Sequence, residues 1–301
     1  MRKAQQKRFQ TLYQKHINAL KRQGKSDTTI DSYARAVRRI SERFDCCPDK
    51  LSLDQIKEHF DQLIETHSWS TVKVDRNGLQ FFYEHVLGKP WQWVDIVKPP
   101  EVKTLPDILS PQELVTVLNA VNDPRHQTYY FTVYSLGLRL GEALNLAVRD
   151  IDAQQHRVHI RLGKGRKDRF VALPDMTLTA LRAYWASHRN KHLLFPTGKT
   201  PDQRHRAKKA MDRGGLQKTF KAIVRECGIQ KNITIHSLRH CYGAHLVEAG
   251  LNLRAIQDLL GHEDPKTTAL YTQLTEVTQQ NTLAIINQMM NRLSFVHVKE
   301  K

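Results

Sequence analysis

The apolar pattern of this chain breaks between Leu87 and Leu109, and that break decides how the chain can fold. Lys98-Pro99-Pro100 and Leu105-Pro106 cannot continue a helix and read as an extended linker. Ser110-Pro111-Gln112-Glu113 follows at once, a capping box with proline at the first helical position, which marks a helix start. The domain boundary is therefore placed near residue 105, giving domains over 1–104 and 105–301. In a chain of 301 residues each is long enough to build its own core.

Ahead of the break the periodicity is helical. Ile30, Tyr33, Val37, Ile40 and Phe44 step by three and four along one apolar stripe, with Ser26 or Asp27 as its cap. Arg35, Arg38 and Arg39 fall largely off that stripe, towards solvent or a ligand. Phe9 to Leu20, Leu53 to Ile64 and Val72 to Val86 behave alike, so four short helices in a small bundle are expected. Beyond the break, helices run to about Leu146. Two alternating runs, His156 to Leu162 and Phe170 to Leu173, then flank Gly163-Lys164-Gly165, which reads as a hairpin with a glycine-rich turn. Helices resume around Leu178, Leu216 and His236 and continue to the end. The predicted fold is mainly α with a small β-sheet, a helical N-terminal domain followed by a mixed α+β domain.

Composition narrows the partner. The formal net charge is +17, and both halves share it: 18 Lys and Arg against 12 Asp and Glu in residues 1–100, and 29 against 18 in the remainder. A surface so basic fits a polyanion, which it binds by displacing counterions. Charge alone does not separate DNA from RNA or an acidic membrane. Residues 189–221 hold ten Lys and Arg with only Asp202 and Asp212 as acids, either a solvated flexible loop or a DNA-contacting insertion, with the second favoured. Cys46, Cys47, Cys227 and Cys241 show no disulfide-like spacing, so reduced thiols in a cytosol are expected. There is no long apolar run and no signal-peptide pattern, so a cytoplasmic, nucleoid-associated protein is expected.

Four short segments carry chemistry. In Gly137-Leu138-Arg139-Leu140-Gly141-Glu142, Arg139 follows a glycine break at a helix start, where it can reach into a cleft beside Glu142 or form an ordinary surface ion pair. In Gly163-Lys164-Gly165-Arg166-Lys167-Asp168-Arg169, the glycines let the backbone approach a polyanion and leave Lys164 free to deliver a proton; a basic turn without a role is the plain alternative. In His236-Ser237-Leu238-Arg239-His240, His236 and Arg239 share a helix face, joining a group that exchanges protons near neutral pH to a fork for two phosphate oxygens. Zinc at His236 and His240 is disfavoured, since no third ligand stands near and no H-E-x-x-H occurs. His240 reads instead as a hydrogen-bonded core histidine. Leu259-Leu260-Gly261-His262 is followed nine residues later by Tyr271, which taken alone would be a helix-face aromatic.

In this order and spacing, G-L-R-L-G-E, G-K-G-R-K-D-R, H-S-L-R-H and L-L-G-H-x₈-Y resemble the tyrosine recombinases, or phage integrase family, especially the small two-domain Xer-like members. The resemblance runs from about residue 10 to the end, with a longer basic stretch near 198–215 as its departure. It implies a SAM-like, core-binding N-terminal domain and a catalytic domain, together clamping duplex DNA. It also implies a catalytic set of Arg139, Lys164, His236, Arg239, His262 and Tyr271. Tyr271 would attack a backbone phosphate to give a 3′-phosphotyrosine, so rejoining needs no ATP. Arg139, Arg239 and His262 would stabilise the transition-state charge in place of metal ions. Lys164 would protonate the 5′-oxygen, and His236 would take the phenol proton or orient the phosphate. No cofactor or metal is expected. The apolar tail from Val277 to Leu293 would dock on a neighbouring subunit in a tetramer on two DNA sites. Integration, dimer resolution and topoisomerase-like relaxation share these residues, as would a non-catalytic DNA-binding protein that kept the fold. An N-terminal helical domain and an apolar tail favour recombination.

Overall fold

The structure is a computed structural model, and it describes residues 1–91, 105–161, 168–261, 265–269 and 271. The chain divides into two compact units, Met1–Val102 and Lys103–Lys301.

The first unit is four helices: α1 (Lys3–Arg22), α2 (Asp27–Phe44), α3 (Leu53–Thr66) and α4 (Trp69–His85). Ser26, not Asp27, caps α2, its Oγ accepting from Thr29 N–H. Ser52 and Gln55 close a capping box on α3. The stripe read on α2 is buried through Val37 and Ile40, against Phe60, Leu79 and Phe82. A β-carbon at Gly78 would lie 3.0 Å from both Tyr33 Cα and Ala36 Cβ, so this glycine sets how closely α2 and α4 approach. Helix α1 begins well before Phe9. Its first turns are polar and largely exposed, and apolar spacing cannot report a turn that buries nothing.

The second unit opens with α5 (Pro111–Asn119), α6 (Pro124–Ser135) and α7 (Leu140–Leu144). The Ser110 capping box with Pro111 stands as read. A three-stranded antiparallel meander follows, β1 (Ile151–Asp152), β2 (Arg157–Ile160) and β3 (Arg169–Ala172), with Val158 opposite Val171 and Ile160 opposite Arg169. Val158, Ile160 and Val171 point into the core, as period-two alternation requires. Strand β1 escapes sequence reading because two residues cannot display alternation. The hairpin tip, with Lys164, lies outside the described residues.

Helices α8 (Asp175–Ala186), α9 (Pro201–Arg206), α10 (Arg213–Glu226), α11 (Ile235–Glu248), α12 (Leu253–Leu260) and α13 (Pro265–Ala269) complete the described part. The basic stretch 189–221 is not the solvated loop of the plain reading. Buried Asn190 donates from its amide to the carbonyls of Arg204, His205 and Ala207 and accepts from His192 and Leu193 N–H. Thr200 and Gln203 form a capping box on α9, which the sequence displays and charge counting passes over. Most important for the site is α11. Ile235, Leu238, Cys241 and Ala244 are buried, and Arg239 is buried among them. No described helix is long and apolar enough to cross a membrane.

Candidate active site

A positive φ of 59° at Gly137 turns the chain out of α6 and delivers Arg139 to the N-cap of α7. A β-carbon at Gly137 would stand 2.5 Å from Tyr242 Cδ1, so α11 packs directly on this turn. Arg139 is then fixed from two sides. Its N–H and Nη1 donate to Glu142 at 3.0 and 2.7 Å, and its Nη2 donates to the Gly261 carbonyl at 3.3 Å.

Glu142 is the hub. Arg169 on β3 donates to it through both terminal nitrogens, Nη1 to Oε1 at 3.0 Å and Nη2 to Oε2 at 2.7 Å. Arg239 Nη1 stands 4.0 Å from Oε2. Burial opposes ionisation of this carboxyl, but the hydrogen bonds and charges of Arg169 and Arg139 outweigh it and hold the group down at about 2. Three guanidinium groups thus gather around one carboxylate, leaving a cationic surplus.

Arg239 is 1% exposed. Its Nη1 and Nη2 donate to the carbonyls of Gly137 and Leu260, each at 2.6 Å. Burial and then the charge of Arg139 lower its pKa to about 10, so it stays cationic at neutral pH. On α11, His236 is exposed, unlike Arg239 three residues on. Partial desolvation and the charges of Arg239 and Arg139 lower its pKa, leaving it a neutral imidazole at neutral pH.

Tyr271 is fully buried. Burial pushes its phenol up to about 12, against the opposing pull of Arg239 and Arg139. Its Oη lies 3.3 Å from His240 Nδ1. His240, read from sequence as a core histidine, is half-buried and faces the phenol.

Of the six residues singled out in sequence, Arg139 and Arg239 act electrostatically on both His236 and Tyr271, while Lys164 and His262 lie outside the described residues. Arg169 and His240 were missed as contributors. Each sits inside a recognised segment, but their parts depend on contacts across 27 and 31 positions of sequence, which no local spacing displays. No group of three or more His, Cys, Asp or Glu able to hold a metal occurs among the described residues.

Comparison with known proteins follows the same division of the chain. The Phage integrase family profile matches residues 107–277, and that of the Phage integrase N-terminal SAM-like domain matches residues 12–93. The candidate integrase/recombinase y4qK of Sinorhizobium fredii (strain NBRC 101917 / NGR234) is 34% identical over 253 residues, 81% of this chain and 78% of that protein. Tyrosine recombinase XerD of Halalkalibacterium halodurans is 28% identical over 284 residues, 89% of this chain and 94% of its own. The crystal structure of a lambda integrase tetramer bound to a Holliday junction shares the fold, with a TM-score of 0.65 and 14% identity, covering 87% of this chain and 76% of that one. With more than half its length matched by the catalytic-domain profile, the chain belongs to the phage integrase family, the tyrosine recombinases.

Proposed function

We propose that this recombinase cuts and rejoins duplex DNA at specific sites by attack of Tyr271 Oη on a backbone phosphate. The observation that supports this best is the gathering of Arg139, Arg239 and the Tyr271 phenol around α11, with Glu142 and backbone carbonyls fixing both guanidinium groups. In the step itself an Oη–P bond forms and the P–O5′ bond breaks. The phenol proton passes to His236, the exposed neutral imidazole on α11, and Lys164 gives a proton to the 5′-oxygen. The product is a 3′-phosphotyrosine and a free 5′-hydroxyl, and reversal reseals the strand without ATP.

The donors suit the charge that develops. Arg139 and Arg239 keep terminal N–H groups beyond those used on protein acceptors, because a guanidinium carries five. Preorganised donors of this kind are each worth on the order of 10²–10³ in rate. His262 would add a further donor. Relatives and neighbours include a protein named a tyrosine recombinase and a tetramer on a branched DNA. We extend both to this chain: double-stranded DNA as partner, a homotetramer on two sites as working form, and the cytoplasmic nucleoid as location. The segment beyond Tyr271 would supply the exchange between subunits, and the basic residues of 189–221 further phosphate contacts.

A nicked duplex that loses its short cut end tests this reading. Wild-type protein should accumulate a protein–DNA adduct on denaturing gels, unaffected by EDTA and absent with Tyr271→Phe. An adduct formed by Tyr271→Phe contradicts the nucleophile, and loss in EDTA contradicts the metal-free chemistry.

A further inference from the structure

An attacking phenol has to touch a phosphate, and Tyr271 is fully buried. The side chain must therefore leave its place before it can react. Ala244 of α11 and Ile256 and Leu260 of α12 share its buried cluster, and two further contacts, to the ring and to the phenol, come from α11. His240 and Gly243 are three residues apart on α11, hence on one face. The Tyr271 ring lies on Gly243, where a β-carbon would meet Cε2 at 2.5 Å and Cζ at 2.7 Å, so a residue without a side chain is what makes the room. At the far end of the ring, Oη stands 3.3 Å from His240 Nδ1. The His236 ring meets His240 edge-on, 4.7 Å between centroids, and steadies its orientation.

We infer that His240 and Gly243 form a slot on α11 that holds Tyr271 in a resting position, making His240 a positioning residue that restrains the nucleophile until DNA engages. This rests on Tyr271 as the nucleophile. The competing role, His240 as the base that takes the phenol proton, fails on proton affinity. Burial, then the charges of His236 and Arg239, hold His240 down at about 4, while burial lifts Tyr271 to about 12. So weak a base does not deprotonate so weak an acid, and the pair remains a hydrogen bond between neutral groups. Once out of the slot the phenol sheds its burial penalty while Arg139 and Arg239 still favour phenolate, so the same movement exposes and activates it.

The test uses the full chain carrying 3-fluorotyrosine, with the residue-271 resonance assigned by its disappearance in Tyr271→Phe and its exposure read from the H₂O/D₂O shift. Single-turnover adduct formation on the nicked duplex is measured in parallel. In His240→Leu the resonance should become solvent-exposed and adduct formation should quicken roughly three- to tenfold, the equilibrium worth of one neutral hydrogen bond. His240→Asn, whose amide puts a polar atom near the Nδ1 position, should restore both readouts to wild type. Gly243→Ala leaves the imidazole in place and favours helix, so it serves if the leucine variant does not fold, and it should release the ring likewise. A resonance that stays shielded in the folded variants, or adduct formation that is unchanged or slower with thermal melting intact, overturns the slot. An adduct in Tyr271→Phe would instead remove the nucleophile reading, and the resonance measurement does not depend on it.

Discussion

Glu142 carries more consequence than its absence from the proposed chemistry suggests. Its side chain is 8% exposed and bonded to Arg139 and Arg169, and its carboxyl is held at about 2, below the ordinary value of 4.5. A depressed carboxylate pKa contributes stability that is complete above the unfolded pKa and is lost as pH falls through the folded one. The gap corresponds to about 3 kcal/mol. Glu142→Gln should therefore unfold more easily at pH 7 by about that much, and the difference from wild type should shrink between pH 5 and pH 2; urea titrations across that range check it. At this scale sequence reading goes far. Arg139, His236, Arg239 and Tyr271 each sit in a local pattern that marks them. Arg169 does not, because another arginine and two lysines share its hairpin segment and only the bidentate contact with Glu142 singles it out.

Elements turn these residues into a site. Strand β3 is tied to α7 by Arg169, whose Cδ would meet a β-carbon at Gly261 at 2.9 Å, so the hairpin, the first guanidinium and the end of α12 are mutually registered. Arg169→Met should slow adduct formation about 10–100-fold through displaced donors, with Arg169→Lys recovering only part, since a lysine cannot make the paired contact. Single-turnover gels give both numbers. Gly137→Ala should lower stability by at least about 1 kcal/mol from the left-handed backbone alone, with more from the clash on Tyr242, as a thermal melt will report. Capping residues made α2 and α5 legible to within a few residues, because a cap is a local hydrogen bond, while apolar spacing alone placed α3. Strand β1 and the polar start of α1 were not legible, since neither leaves a periodic apolar trace, and α9 was masked by attention to charge although Thr200 and Gln203 announce it.

At the scale of the whole molecule, two units and a net charge of +17 describe a chain built to meet a polyanion. Affinity for duplex DNA should fall steeply with salt, by about 10³–10⁵ between 50 and 200 mM if it neutralises roughly 6–10 phosphates, which fluorescence anisotropy measures directly. The proline-rich break sets the expected boundary near residue 105 because proline cannot continue a helix, and Pro99 and Pro100 lie outside the described residues. The convergence of Arg139, Arg239 and Tyr271 was foretold only by the order of four segments and their family likeness, since burial of Arg239 and Tyr271 is a property of the packed fold. The central claim is chemical, and one measurement addresses it most directly: protease digestion of the trapped protein–DNA adduct followed by mass spectrometry. The account predicts a nucleotide remnant joined through its 3′-phosphate to the peptide bearing Tyr271, specifically at that phenol. A remnant on any other side chain, or attachment through a 5′-phosphate, contradicts it.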